Sequence, residues 1–304
     1  MSRYAFALLV QSLVCSSVIP VNGATETVAW DRSIGADVSR MLAGCQIAPM
    51  PPQTRGADLE GLYRASVSNV PVILSEKGLG SSAVIIVKPD RHALLITNYH
   101  VVRDRFTIKG QPSVIVVFYS PELKNQPFDG QRFGECLASS TDQSPWCQAV
   151  RRSTRVGTIV RYDQASDLAL VSVANAPPGV TGFRAGNIQS LEPGASVAAI
   201  GHPTGLLWSF TTGIISAIRT NFSLGNGTGT LVQTQTPINP GNSGGPLIAM
   251  DGTIAGIIFG ARAGERVRFG GEELTIPTEG LNYAIGIDTA LTFTSALADQ
   301  RPGR

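Results

Sequence analysis

Histidine and cysteine are scarce in this sequence: its 304 residues include three histidines and four cysteines. There is no Cys-x-x-Cys pair and no histidine lies near a cysteine, so the spacings of a metal site are missing and no metal or other cofactor is expected. A surplus of one charge is missing too. Lysine and arginine total 24 against 22 acidic residues, a formal net charge of +2 with no block of like charges. That balance argues against nucleic acid and against an anionic membrane surface as partners. The densest basic patch, Arg151-Arg152-Ser153-Thr154-Arg155, reads as a solvated loop or strand edge. Long apolar runs are also lacking. The stretch from Tyr4 to Val14 is interrupted by Gln11 and Ser12, and it is shorter than the roughly 20 residues a membrane helix requires.

That short run follows Arg3 and leads through small residues to Asn22-Gly23-Ala24, the layout of a secretory signal peptide spanning residues 1–24, with no stable membrane insertion once it is removed. Its removal would discard Cys15 and leave Cys45, Cys136 and Cys147. Cys136 and Cys147 are the expected disulfide, because they bracket a polar loop whose closure is worth roughly 3 kcal/mol in an oxidising compartment. Residues 25–56 read as an extension and linker, broken by Pro49-Met50-Pro51-Pro52. A short helix is expected near Leu59 to Ser66.

Beyond the linker the apolar runs are short and separated by Gly, Pro, Asp and Asn, at the spacing of an all-β barrel or sandwich. They include Val70 to Leu74, Ala83 to Val87, Ala93 to Thr97, Val114 to Tyr119, Val156 to Arg161 and Leu168 to Val173. After a break at Ala174 to Gly182 come Val197 to Ile200, Ser209 to Arg219, Leu231 to Gln235, Leu247 to Ala249, Thr253 to Phe259 and Tyr283 to Ile287.

Three constellations carry chemistry. Ser243 sits in Pro240-Gly241-Asn242-Ser243-Gly244-Gly245-Pro246, where glycines allow turns closed to other residues and let a substrate chain approach the backbone. A serine hydroxyl is a poor nucleophile without a base to take its proton and amides to receive the developing oxyanion. His100 ends an aliphatic run in Thr97-Asn98-Tyr99-His100-Val101-Val102, and Asp167 opens another in Asp167-Leu168-Ala169-Leu170. Asp163 competes as the acid and is read as a turn residue. His202, in Gly201-His202-Pro203-Thr204-Gly205, competes as the base and is read as structural.

In the order His, Asp, Ser, these three motifs resemble those of trypsin-like serine proteases with the chymotrypsin fold, specifically the HtrA/DegP-like branch. The resemblance extends from about Leu79 to Ala290. It implies two six-stranded antiparallel β-barrels, about 57–174 and 183–296, with the active site in the cleft between them and residues 297–304 as a tail. It implies His100, Asp167 and Ser243 as a catalytic triad, and the N–H groups of Gly241 and Ser243 as an oxyanion hole. It also places Pro237, Ile258, Phe259, Gly260 and Ala261 at the substrate. Pro237 stands where trypsin-like relatives that cut after Lys or Arg carry an acid, so cleavage after small or medium apolar residues is expected. No PDZ domain is expected after Ala290, which would be a departure from the best-known members. The implied function is an exported endopeptidase, periplasmic or secreted, acting on protein or peptide substrates. A protein that keeps the fold and captures peptides without turnover is the alternative.

Overall fold

The computed structural model describes residues 58–124, 127–224, 227–261, 265–269, 272–276 and 281–295. The expected signal peptide, the extension with Cys45, and the tail lie outside the described residues.

A helix, α1 (Leu59–Ser66), opens the described chain, with the Asp58 carboxylate accepting the Gly61 amide at its start. The first group of strands is β1 (Val72–Leu74), β2 (Leu79–Ser81), β3 (Ala83–Val87), β4 (Ala93–Thr97), β5 (Phe106–Ile108), β6 (Gln111–Val117), β7 (Thr154–Asp163) and β8 (Leu168–Val173). They pair in the order β2-β1-β6-β7-β8-β4-β3, with β5 added against β6. Only Ser82 separates β2 from β3, so residues 79–87 form one bent strand that pairs β1 with its first half and β4 with its second. That bend curls the sheet round on itself. Counted this way, six strands surround the first core.

The second group is a closed barrel in the order β10-β11-β16-β13-β12-β9. Its members are β9 (Ser196–Gly201), β10 (Ser209–Leu224), β11 (Gly227–Thr234), β12 (Pro246–Ala249), β13 (Ile254–Ala261) and β16 (Asn282–Gly286). A separate antiparallel pair, β14 (Glu265–Phe269) and β15 (Glu272–Ile276), makes a hairpin between β13 and β16.

Period-two alternation explains the near-continuous apolar runs, since both faces of the central strands are covered. In β4, Ala93 and Leu95 join one core with Val114, Val116, Ala169 and Val171, while Leu94 and Ile96 join a second with Ile115, Val117, Leu168 and Leu170. The second core continues into Ile248, Ile254, Ile257 and Ile285 of the closed barrel. The connection between the two groups is strapped to both: the Phe183 amide bonds the Val84 carbonyl, and the Ile254 amide bonds the Arg184 carbonyl.

One stretch departs from the sequence reading. Between β6 and β7 lie two further helices, α3 (Gly130–Ala138) and α4 (Pro145–Ser153); α2 (Tyr99–Val102) precedes them. Local capping sets both starts: Asp129 accepts the Gln131 and Arg132 amides, and Ser144 accepts the Cys147 amide with Pro145 in the first turn. Arg151, read from sequence as part of a solvated loop or edge, instead donates to the carbonyls of Cys136, Ser139 and Asp142 and ties the two helices together. Cys136 and Cys147 form a disulfide between them, with Cα atoms 4.8 Å apart. The C-terminal helix α5 (Ile287–Ser295) packs back on the sheets, Phe293 lying under the Arg161 guanidinium at 5.0 Å.

Candidate active site

Strand pairing explains why His100 and Asp167 meet. β4 and β8 run antiparallel with Thr97 opposite Ala169, so the chain just after one strand lies beside the chain just before the other. His100 Nδ1 is 2.7 Å from Asp167 Oδ2, and the His100 amide donates to Asp167 Oδ1 at 2.9 Å. An ionised carboxylate only accepts, so Nδ1 carries the proton and Nε2 keeps its lone pair for another donor. Asp167 adopts φ 52°, a left-handed conformation rare outside glycine. Its carbonyl is gripped there by Asn98 Nδ2 (2.9 Å) and the Tyr99 amide (3.1 Å). The His100 side chain is 40% exposed and that of Asp167 26%, so the pair stands at the surface of a cleft. Asp163 caps its own turn, accepting from Ala165, Ser166 and the Ser166 hydroxyl.

Ser243 lies in the loop leading into β12, half-buried. The Gly244 amide donates to the Ile258 carbonyl (2.7 Å) and the Ile258 amide to the Gly245 carbonyl (2.9 Å), extending the ladder of β12 and β13 into the loop. The first barrel holds the loop from the other side. Ser81 donates its amide to the Ser243 carbonyl (2.9 Å) and its hydroxyl to the Gly241 carbonyl (2.7 Å), and Thr97 Oγ1 donates to the Ser81 carbonyl (2.7 Å). Two glycines are obligatory here. Gly241 has φ 104° and Gly244 φ 85°; a Cβ would strike the His202 carbonyl at the first and Thr97 Oγ1 and the Ser81 carbonyl at the second. Among the described residues the Gly241 and Ser243 amides donate to no protein acceptor, and no hydrogen bond joins the Ser243 hydroxyl to His100.

A cleft of about 490 Å³ brings these groups together, lined by His100, Gly241, Ser243, Ile238 and Gly260 among others. The remaining residues read from sequence as substrate-binding are placed differently from one another. Pro237 is exposed and its carbonyl accepts from Thr211 Oγ1. Ile258 is fully buried behind the serine loop. Phe259 is half-buried with its ring 6.2 Å from that of Tyr283, beside an irregularity in the pairing of β13 with β16. Ala261 ends β13. Sequence reasoning missed the opposite wall, where Lys77, Arg103 and Asp104 line the same cleft. Lys77 Nζ is 3.1 Å from Asp104 Oδ1, and this hydrogen bond holds the Asp104 carboxyl below its ordinary range. Nothing local in the sequence marks that pair, since its members are 27 residues apart.

His202 is fully buried and cannot serve as base to the cleft. Its Nδ1 accepts the Trp208 amide at 3.0 Å. Burial pushes its pKa down to about 3, offset in part by the Pro71 carbonyl, so the ring is neutral. Cys136, Cys147 and Asp142 cluster as metal ligands could, but the two sulfurs are joined to each other.

A family model, the trypsin-like peptidase domain, matches residues 81–257. Among curated relatives, the magnetosome formation protease MamE of Magnetospirillum gryphiswaldense is 32% identical over 234 residues, covering 77% of this chain and 25% of that protein. A probable periplasmic serine endoprotease, DegP-like, of Halomonas elongata is 40% identical over 144 residues, covering 46% of this chain and 27% of that protein. The chain thus spans about a quarter of the length of these relatives. Of solved structures, the HtrA-type protease AlgW with tripeptide superposes with a TM-score of 0.53 at 22% identity, over 80% of this chain and 64% of that one. Deg5 gives 0.52 at 24% identity, over 77% and 90%. At these identities the superpositions establish the fold.

Proposed function

The chain belongs to the trypsin-like peptidase family, in its HtrA/DegP-like branch, and from that premise we propose that it is an exported serine endopeptidase. The observation that carries the reading is the His100–Asp167 pair, hydrogen-bonded at 2.7 Å on the rim of the cleft that Ser243 also lines. Ser243 attacks the scissile carbonyl while His100 Nε2 takes its proton. Asp167 holds the imidazole in the required tautomer and stabilises the imidazolium. The oxyanion is received by the uncommitted amides of Gly241 and Ser243. His100 then protonates the leaving amine, and water hydrolyses the acyl-enzyme with the same groups.

Substrate enters as an extended strand. The pairing of β12 with β13 ends at Pro246 opposite Ile257, and Gly244 and Gly245 occupy Ile258. Residues 259–261 therefore offer a free backbone edge on that side, among the described residues, to which a peptide can add. Ile238 and Gly260 line the cleft, Pro237 supplies no acid beside them, and the acid that does line it, Asp104, is paired with Lys77, which favours small or medium apolar residues at the cut. The exported location rests on the signal-like start and on the periplasmic naming of the Halomonas relative.

The absent Ser243–His100 hydrogen bond favours a second reading, a peptide-binding protein or latent enzyme, although such bonds often tighten only when substrate is bound. Digestion of reduced casein by the full chain and by Ser243→Ala, with products mapped by mass spectrometry, separates the two. Loss of cleavage in the variant, with cuts after Val, Ala or Ile in the parent, supports the endopeptidase. Binding of casein without cleavage by either form supports the alternative.

A further inference from the structure

The Gly241 N–H belongs to the peptide that links it to Pro240. In a trans peptide the carbonyl and the N–H point in opposite directions, so whatever holds the Pro240 oxygen decides where the Gly241 N–H points. Its holder is the Thr204 amide, at 2.8 Å. Thr204 lies at φ 50°, a left-handed conformation that a β-branched residue keeps only where its surroundings impose it.

Those surroundings are partly outside the closed barrel. The inner end of the turn is fixed by His202, which accepts the Trp208 amide, and by Trp208 Nε1, which donates to the Val70 carbonyl. The outer end is fixed by the insertion between β6 and β7. The Phe128 amide donates to the Gly205 carbonyl at 2.8 Å, and Pro127 bridges to Leu206. The Phe128 ring meets Phe133 of α3 at 5.4 Å, and both line a small apolar pocket with Trp146 of α4 and Leu207 from the turn. The Cys136–Cys147 disulfide locks α3 to α4, and both cysteines are buried in the same core cluster as Phe133, against which Phe128 packs.

We propose that the disulfide-closed helix pair α3–α4 is a positioning element for the reaction: through Phe128 it braces the turn at 202–206, whose Thr204 amide holds the Pro240 carbonyl and so keeps the Gly241 N–H aimed into the cleft. This rests on the reading of Gly241 as an oxyanion donor. The helix pair touches no reacting atom and acts by fixing one peptide plane. Hydrolysis therefore depends on a segment that is remote from the cleft in sequence and covalently closed.

The test compares the full chain with Phe128→Ala, with the double variant Cys136→Ser/Cys147→Ser, and with Val171→Ala, a core truncation in the first barrel that lowers stability without touching the turn. Hydrogen exchange read by mass spectrometry over 202–208 and 238–243 is expected to quicken about tenfold in the first two variants and not in the third. For peptide cleavage, kcat is expected to fall about tenfold with KM nearly unchanged, and a peptidyl trifluoromethyl ketone to bind weaker by the same factor. Unchanged exchange at both segments in Phe128→Ala and in the disulfide variant overturns the proposal, as does a rise in KM at constant kcat. A parent protein that neither cleaves peptides nor labels at Ser243 overturns the protease reading instead, and the exchange measurement still decides whether the helix pair braces the turn.

Discussion

The two walls of the cleft are built differently. On the first barrel, His100 and Asp167 hold each other through two hydrogen bonds placed by one pair of neighbouring strands. On the second barrel, the loop 239–245 makes two turn bonds within itself, but the carbonyls of Pro240, Gly241 and Ser243 are held by donors from elsewhere: Ser81 from the first barrel, and His202 and Thr204 from the neighbouring turn. An acid–base pair can be prepared by two strand ends. A pair of backbone N–H groups pointing into a cleft cannot, because each must be kept from its usual acceptor by fixing the peptide that carries it. The catalytic chemistry proposed here thus joins a locally made half to one assembled by the tertiary fold.

The sharpest way to break that contrast is at the self-contained wall. Asp167→Asn leaves the strands in place and reverses the preferred tautomer of His100, so kcat is expected to fall by about 10⁴ with the melting temperature little changed. Steady-state peptide cleavage alongside thermal unfolding checks it; a small loss would mean that the histidine is positioned by something other than the carboxylate. On the dependent wall the expected signature is opposite, with stability and activity falling together. Gly244→Ala forces a Cβ onto Thr97 and the Ser81 carbonyl at a positive φ, and should cost about 3 kcal/mol in urea unfolding.

Ser81→Ala tests the same wall more gently, by removing the hydroxyl that holds the Gly241 carbonyl across the seam. A loss of about 1.5 kcal/mol is expected, because the part-buried carbonyl then keeps only the longer hydrogen bond from the His202 amide (3.4 Å), with kcat lowered more than KM is raised. The smallest effect is a pH dependence. His202 is neutral in the fold with a pKa of about 3, against about 6.5 in the unfolded chain. The unfolded state therefore binds the extra proton first. Stability is nearly complete above about pH 7.5 and is lost as pH falls through 6.5 toward 3, by about 1.4 kcal/mol at pH 5.5. Urea unfolding at pH 7.5 and 5.5 reads this slope, and His202→Asn should flatten it.

Much of the architecture could be read before any coordinates. The runs Ala83 to Val87, Ala93 to Thr97 and Leu168 to Val173 are strands with those bounds, and Leu59 to Ser66 is the expected helix. Apolar runs bounded by turn residues carry their own period, and buried strands show it most clearly. The helices at 130–138 and 145–153 escaped because cysteines and polar residues suggested a closed loop, while the capping signals at Asp129 and Ser144-Pro145 were short and local. His202 was legible only as a choice between roles, and its burial settles that it faces the protein interior.

What the amino-acid sequence determined by itself was the set of reactive residue types, their order and the strands that carry them, because side-chain chemistry and hydrophobic period are local properties. The tertiary structure alone decided that strand ends 67 residues apart would seat a histidine on a carboxylate. It also decided that Ser81, 160 residues before Gly241, would reach across to its carbonyl. Such contacts depend on sheet closure and barrel packing, and no spacing along the chain encodes which carbonyl a distant hydroxyl will meet.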